Sequence, residues 1–206
     1  MDTVNRISIT KDGDILKLRH LAIQLSQLPV HPRSSVELEQ YQTSGNLAAK
    51  WISKIQGISG SDVIDLGAGN GILGHAAKLL GAQRVTFVEC DPQAAELCRK
   101  LDGDVIEGRI GEIDLPIADI VIMNPPWGVQ TKGADRIFFE EAMKHARESI
   151  HVMHSSEATH LEGLLPNWDA SVIHQDEFEM PPTYSHHSSR KHSVPVNCWS
   201  FTRQRD

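Results

Sequence analysis

Hydrophobic positions change their period along this chain. Leu16, Leu18, Leu21, Ile23, Leu25 and Leu28 recur at helical spacings over residues 15–28, and Pro29 and Pro32 close the run. Residues 46–55 read as a second helix. From residue 62 onward short apolar runs alternate with helical ones. Residues 63–66 form a buried strand ending in glycines, and 72–80 a helix that stops at Gly81. Residues 84–89 are the next strand. Asp91 then supplies an N-cap and Pro92 a first-turn proline for a helix over 92–101. Val105 and Ile106 mark a third strand, and 118–123, the clearest continuous apolar run, a fourth. A helix is expected over 134–149, a strand over 150–153, a helix over 156–165, and two closing strands over 170–178 and 194–201.

This alternation predicts an α/β fold with a seven-stranded, mostly parallel sheet covered by helices on both faces. No helix separates the last two strands, so they should close the sheet as an antiparallel hairpin. A chain of 206 residues fits one domain spanning 1–206.

Composition narrows the function classes. No apolar run is long enough to span a bilayer, and the first six residues lack the basic start and apolar stretch of a secretory signal. Cys90, Cys98 and Cys198 are scattered, which points to a reduced, cytoplasmic setting. The eleven histidines have no Cys or carboxylate at convincing ligand spacing, so no metal is expected. A net charge of -7 excludes a protein that coats nucleic acid through many phosphate contacts. It leaves room for an enzyme that meets RNA through a local patch. Arg190, Lys191 and His192, with His186 and His187, are the one locally basic stretch, either an RNA-backbone contact or a solvated loop. Lys132 and Asp135 belong to a loop over substrate or to a helix start.

Asp65-Leu66-Gly67-Ala68-Gly69-Asn70-Gly71 follows a strand and opens a helix, where glycines let a ligand approach the backbone. The run from Gly69 to Gly74 also matches a dinucleotide fingerprint, and Glu89 lies at the right distance for a ribose contact. Asp65 and Gly67 precede that match, however, which suits a cofactor without phosphate that carries a cationic sulfonium and an amino group. S-adenosyl-L-methionine is such a cofactor.

Asn124-Pro125-Pro126-Trp127 follows the fourth strand directly. An exocyclic amine is a poor nucleophile because its lone pair is delocalised into the ring. The Asn124 side-chain carbonyl and the Pro125 backbone carbonyl can accept both its hydrogens. They then stabilise the positive charge that develops on nitrogen in the transition state. Prolines hold these carbonyls in place, and Trp127 offers a flat face for stacking an extruded base, worth about 1–3 kcal/mol.

Together these motifs resemble those of the class I, Rossmann-like amino-methyltransferases with an Asn/Asp-Pro-Pro-aromatic sequence. A narrower likeness runs from about residue 16 to 201. Leu38-Glu39-Gln40-Tyr41-Gln42-Thr43, Ile122 to Gly128, Lys132-Gly133-Ala134-Asp135 and Met180-Pro181-Pro182-Thr183-Tyr184 resemble the methyltransferase-like protein five family of rRNA adenine-N6 methyltransferases. The resemblance implies that residues 1–45 form an N-terminal helix and a segment folding over the cofactor, with Gln40, Tyr41 and Thr43 against it. The glycine loop, the strand end and the tetrapeptide themselves assign the cofactor to Asp65, Gly67, Ala68, Gly69, Gly71, Glu89 and Asn124, and catalysis to Asn124, Pro125, Pro126 and Trp127. Lys132, Arg190 and Lys191 are candidate substrate contacts. The resemblance also implies an N6-methyladenosine product in small-subunit rRNA. A small zinc-binding activator protein would add a strand beside the third strand. Two positions depart from the family: Arg109 stands where an Asp usually accepts from the cofactor adenine, and Trp127 replaces the commoner Phe. The alternatives are methylation of a protein glutamine amide, of DNA adenine, or a non-catalytic cofactor-binding module of ribosome assembly. An NAD-dependent enzyme ranks last.

Overall fold

The computed structural model describes residues 6–9, 15–30, 42–128, 133–180 and 192–204. The central strands are β3 (Asp62–Leu66), β4 (Arg84–Glu89), β5 (Asp104–Glu107), β6 (Ala118–Met123), β7 (Ala146–Ser155), β8 (Trp168–Met180) and β9 (His192–Arg203). They form one sheet in the order β5-β4-β3-β6-β7-β9-β8. All neighbours run parallel except β9, which is antiparallel to both β7 and β8. The closing hairpin is therefore present, and its second strand is inserted beside β7 while its first becomes the sheet edge.

Alternate side chains divide between two apolar clusters, as the period of two in a strand requires. Val63, Ile120 and Ile122 join α1 (Leu18–Leu25), α2 (Gly45–Ile52) and α3 (Ile72–Leu79) in one. Ile64, Leu66, Val121 and Met123 join Phe139 and Ala142 of α5 (Arg136–His145) in the other. The caps follow the sequence. Asp91 Oδ1 accepts from the amides of Gln93 and Ala94 at 2.7 and 3.3 Å to start α4 (Pro92–Cys98), and Ser44 Oγ accepts from Leu47 N at 3.2 Å to start α2.

Three expected elements differ. The helix expected over 134–149 ends at His145, and Ala146 turns to φ -85, ψ 127 and starts β7. Ala146, Arg147 and Glu148 are good helix formers, but pairing of Ala146 with Ala118 and of Ser149 with Ile120 draws the segment into the sheet. The helix expected over 156–165 is a single 3-10 turn, Thr159–Gly163, in a run that Gly163 and Pro166 interrupt. At the N-terminus, Ile15–Lys17 is not helical. It forms β2, antiparallel to β1 (Arg6–Ile9), and α1 begins only at Leu18.

Candidate active site

The residues following β3, β4, β5 and β6 at their carboxyl ends line a cavity of about 330 Å³, within the range of small-molecule sites. Six stretches distant in sequence meet there, two of them the loop after β5 and the start of α5. Gln42 and Thr43 precede α2, residues 67–70 form the glycine loop, Glu89 and Cys90 end β4, and Asn124 and Pro126 follow β6.

The loop is held by its own backbone. Gly67 has φ 75, in the left-handed region, and a Cβ there would lie 2.7 Å from the Phe138 ring. The amides of Gly67 and Ala68 both donate to Val88 O at 2.9 Å, tying the turn to the end of β4. Gly69 N then donates to Glu89 Oε2 at 2.7 Å, and Asp91 N to Glu89 Oε1 at 2.8 Å. Each carboxylate oxygen accepts more than one bond. Buried Glu89 thus braces the loop and still has acceptor capacity for ribose hydroxyls at the cavity wall.

Asp65 lies beneath this loop rather than on the cavity wall. It is fully buried, its Oδ2 accepts from Gly74 N at 2.7 Å, and its Oδ1 has no partner among the described residues. Burial pushes its carboxyl up to about 8, against the Gly74 amide, with the Glu89 charge adding to the rise. Gly71, at φ 78, is the N-cap of α3 and also stands behind the lining. Among the described residues, the charged side chains around the cavity are Glu89, Glu112 and Arg109. An excess of carboxylates fits a cationic nucleoside such as S-adenosylmethionine and disfavours a diphosphate.

Asn124 sits where β6 ends. Its Nδ2 donates to Thr43 Oγ1 at 3.4 Å, and its Oδ1 accepts from the Trp127 indole Nε1 at 3.3 Å. Pro125 is buried and Pro126 lines the cavity. The Trp127 ring stacks on His154 at 5.9 Å between centroids and meets Phe178 edge-on at 5.3 Å. His154 Nε2 lies 3.6 Å from Asp135 Oδ2. Asn70 Nδ2 donates to Pro29 O at 3.1 Å, which brings the segment after α1 onto the glycine loop.

Thr43, Gly67, Ala68, Gly69, Glu89, Asn124 and Pro126, expected from sequence, thus line one cavity, with Trp127 bonded to Asn124 beside them. Asp65 and Gly71 support it from below. Gln40, Tyr41, Lys132, Arg190 and Lys191 lie outside the described residues. Arg109 stands in the wall, and so do Ile110, Glu112, Ile137 and Phe138, which sequence reading did not select. A strand-end motif marks only the first side of a cavity. The far wall comes from a loop after β5 and from the first turn of α5, neither of which has a pattern of its own.

The methyltransferase small domain family model matches residues 47–152. The rRNA N(6)-adenosine-methyltransferase Mettl5 of Drosophila melanogaster is 30% identical, with 90% of this chain and 96% of that protein covered. The rRNA N(6)-adenosine-methyltransferase METTL5 of Danio rerio is 27% identical, with coverage of 91% and 99%. The crystal structure of PH1948 from Pyrococcus horikoshii superposes with a TM-score of 0.81 at 30% identity, covering 93% of this chain and 100% of that one. These likenesses span the sheet, the glycine loop and the turn after β6 alike, and the chain accordingly belongs to the methyltransferase small domain family and is a methyltransferase that uses S-adenosylmethionine.

Proposed function

We propose that this methyltransferase modifies the N6 amino group of adenosine in RNA, with small-subunit rRNA as substrate. The observation that carries the reading is the placement of Asn124 on the wall of the cofactor cavity, bonded to Trp127 and beside the Trp127–Phe178 aromatic pair. S-adenosylmethionine supplies a methyl group made electrophilic by its sulfonium. Asn124 Oδ1 and the Pro125 carbonyl then act as acceptors for the two amine hydrogens. They draw density toward the nitrogen and favour the charge that develops on it. The indole holds the flat base for that contact. The methylated nitrogen is acidic enough to lose its proton to water, so no side chain need act as base. The two rRNA N(6)-adenosine-methyltransferases, matched over about nine-tenths of this chain, support the choice of adenosine in rRNA.

The remaining assignments follow from this reading. The cofactor contacts are Gln40, Tyr41, Thr43, Gly67, Ala68, Gly69, Glu89 and Asn124, with Asp65 and Gly71 holding the glycine loop from behind, within one domain over 1–206 whose first 45 residues fold over the site. The Asn70–Pro29 bond and the place of Thr43 in the cavity support that cover. Lys132, Arg190 and Lys191 contact the RNA. A small zinc-binding activator docks as an added strand on β5, which among the described residues is an edge of the sheet and pairs only with β4. No helix among the described residues is long and apolar enough to cross a membrane, and all three cysteines are free. A reduced cytoplasmic compartment suits them.

The test is incubation with labelled S-adenosylmethionine and rRNA, DNA or a release-factor protein, with and without an activator. Mass spectrometry then identifies the methylated residue. N6-methyladenosine in rRNA is expected, and label confined to protein refutes the proposal.

A further inference from the structure

Trp127 does more in this site than offer a ring. We infer that its indole N–H, together with the Thr43 hydroxyl, clamps the Asn124 carboxamide in the one orientation that presents oxygen to the substrate amine. The inference rests on the reading of Asn124 as the acceptor of that amine. An asparagine amide can turn over about its last bond, exchanging oxygen for NH2. The two orientations have opposite consequences here, because NH2 facing an amine places donor against donor.

Two contacts settle the orientation. The indole nitrogen has only a hydrogen to give, so the amide atom 3.3 Å from it must be Oδ1. That leaves Nδ2 toward Thr43, whose Oγ1 accepts at 3.4 Å. Thr43 is buried, and Ser44 directly after it caps α2, so the hydroxyl is carried on a fixed backbone. The ring of Trp127 is itself held, by the stack on His154 and the edge contact with Phe178. Oδ1 takes one bond from the indole and has a second lone pair for the substrate. A Phe at this position stacks equally well but cannot make the bond. Trp127 and Thr43 therefore act through Asn124 as positioning residues.

The test is a set of kinetic comparisons. Ordering one side chain is worth a few-fold to about tenfold in rate, so Trp127→Phe should lower kcat roughly three- to tenfold, with little change in KM for RNA. In an Asn124→Asp background the group is a carboxylate, whose two oxygens are equivalent. The same Trp127→Phe change should then cost less than twofold. Independently, Thr43→Val, which keeps the shape, should cost more in kcat than Thr43→Ser, which keeps the hydroxyl. Single-turnover methyl transfer reads all of these even when Asn124→Asp is slow. Equal Trp127→Phe losses in both backgrounds, or Thr43→Ser as damaging as Thr43→Val, overturn the clamp. Full activity of Asn124→Ala is a different result and overturns the underlying reading of Asn124 instead.

Discussion

Glu89→Gln changes one oxygen to NH2 and separates bracing of the loop from binding of the cofactor. Glu89 accepts from Gly69 N and Asp91 N through different oxygens, 2.7 and 2.8 Å away, in a buried setting. A glutamine carbonyl can replace one acceptor, and its NH2 then faces the other backbone N–H. An unsatisfied buried donor costs about 1–3 kcal/mol, and exchanging a charged for a neutral acceptor about 1 kcal/mol more. A loss of roughly 2–4 kcal/mol lowers the melting temperature of a domain this size by about 5–15 °C. On the proposed cofactor placement Glu89 also accepts from the ribose hydroxyls, and losing that charged acceptor is worth roughly 1.5–3 kcal/mol, or about a ten- to hundredfold weaker Kd for the cofactor. Thermal unfolding followed by circular dichroism and calorimetric titration with S-adenosylhomocysteine measure the two effects separately. A variant with wild-type melting and a Kd within twofold of wild type would falsify both roles of Glu89.

Other consequences are open to measurement. A Cβ on Gly74 would lie 2.5 Å from the Phe87 ring, 2.9 Å from Val85 and 3.0 Å from the Asp65 Cβ, all buried. Gly74→Ala should therefore destabilise by about 1–3 kcal/mol despite better helix propensity, whereas Gly163→Ala, whose Cβ meets none of the described residues, should be near neutral; urea midpoints compare them, and equal midpoints contradict the packing argument. Asp65 ionises near 3.8 in the unfolded chain and near 8 in the fold, so between these values the folded form holds the extra proton and stability falls as pH rises. Asp65→Asn should shrink the difference between urea midpoints at pH 5 and pH 8, and an undiminished difference would show that another group carries it. Asn124→Ala should reduce methyl transfer at least a hundredfold while changing cofactor Kd only a few-fold, and a parallel loss in both would make Asn124 a binding residue alone.

Much of this molecule is legible without coordinates. The positions of β3, β4 and β6 follow from short apolar runs, because a strand buried on both faces needs apolar side chains at most positions, while the edge strand β5 shows only Val105 and Ile106. The N-cap at Asp91, the turn at Gly67 and the placement of Glu89 at a strand end follow from residue chemistry that acts within a few positions. Local signals stop being sufficient where a long-range partner overrides them. The stretch from Ala146 to Ser149 is helical by propensity and becomes a strand because β6 lies open beside it. Ile15–Lys17 leaves the helix for a hairpin partner, Arg6–Ile9, in the same way.

Tertiary structure alone decided how the motifs act together. The sequence determined that a glycine loop and an Asn-Pro-Pro-Trp turn each end a buried strand. It could not show that Asp65 lies beneath the cofactor cavity rather than on its wall, since burial depends on what packs over a residue. Nor could it show that Asn124 meets Thr43, 81 positions earlier, or that Trp127 turns its indole N–H onto Asn124. A residue's type sets which hydrogen bonds it can make. Only the order in which β3, β6 and the segment before α2 come together sets which of them it does make.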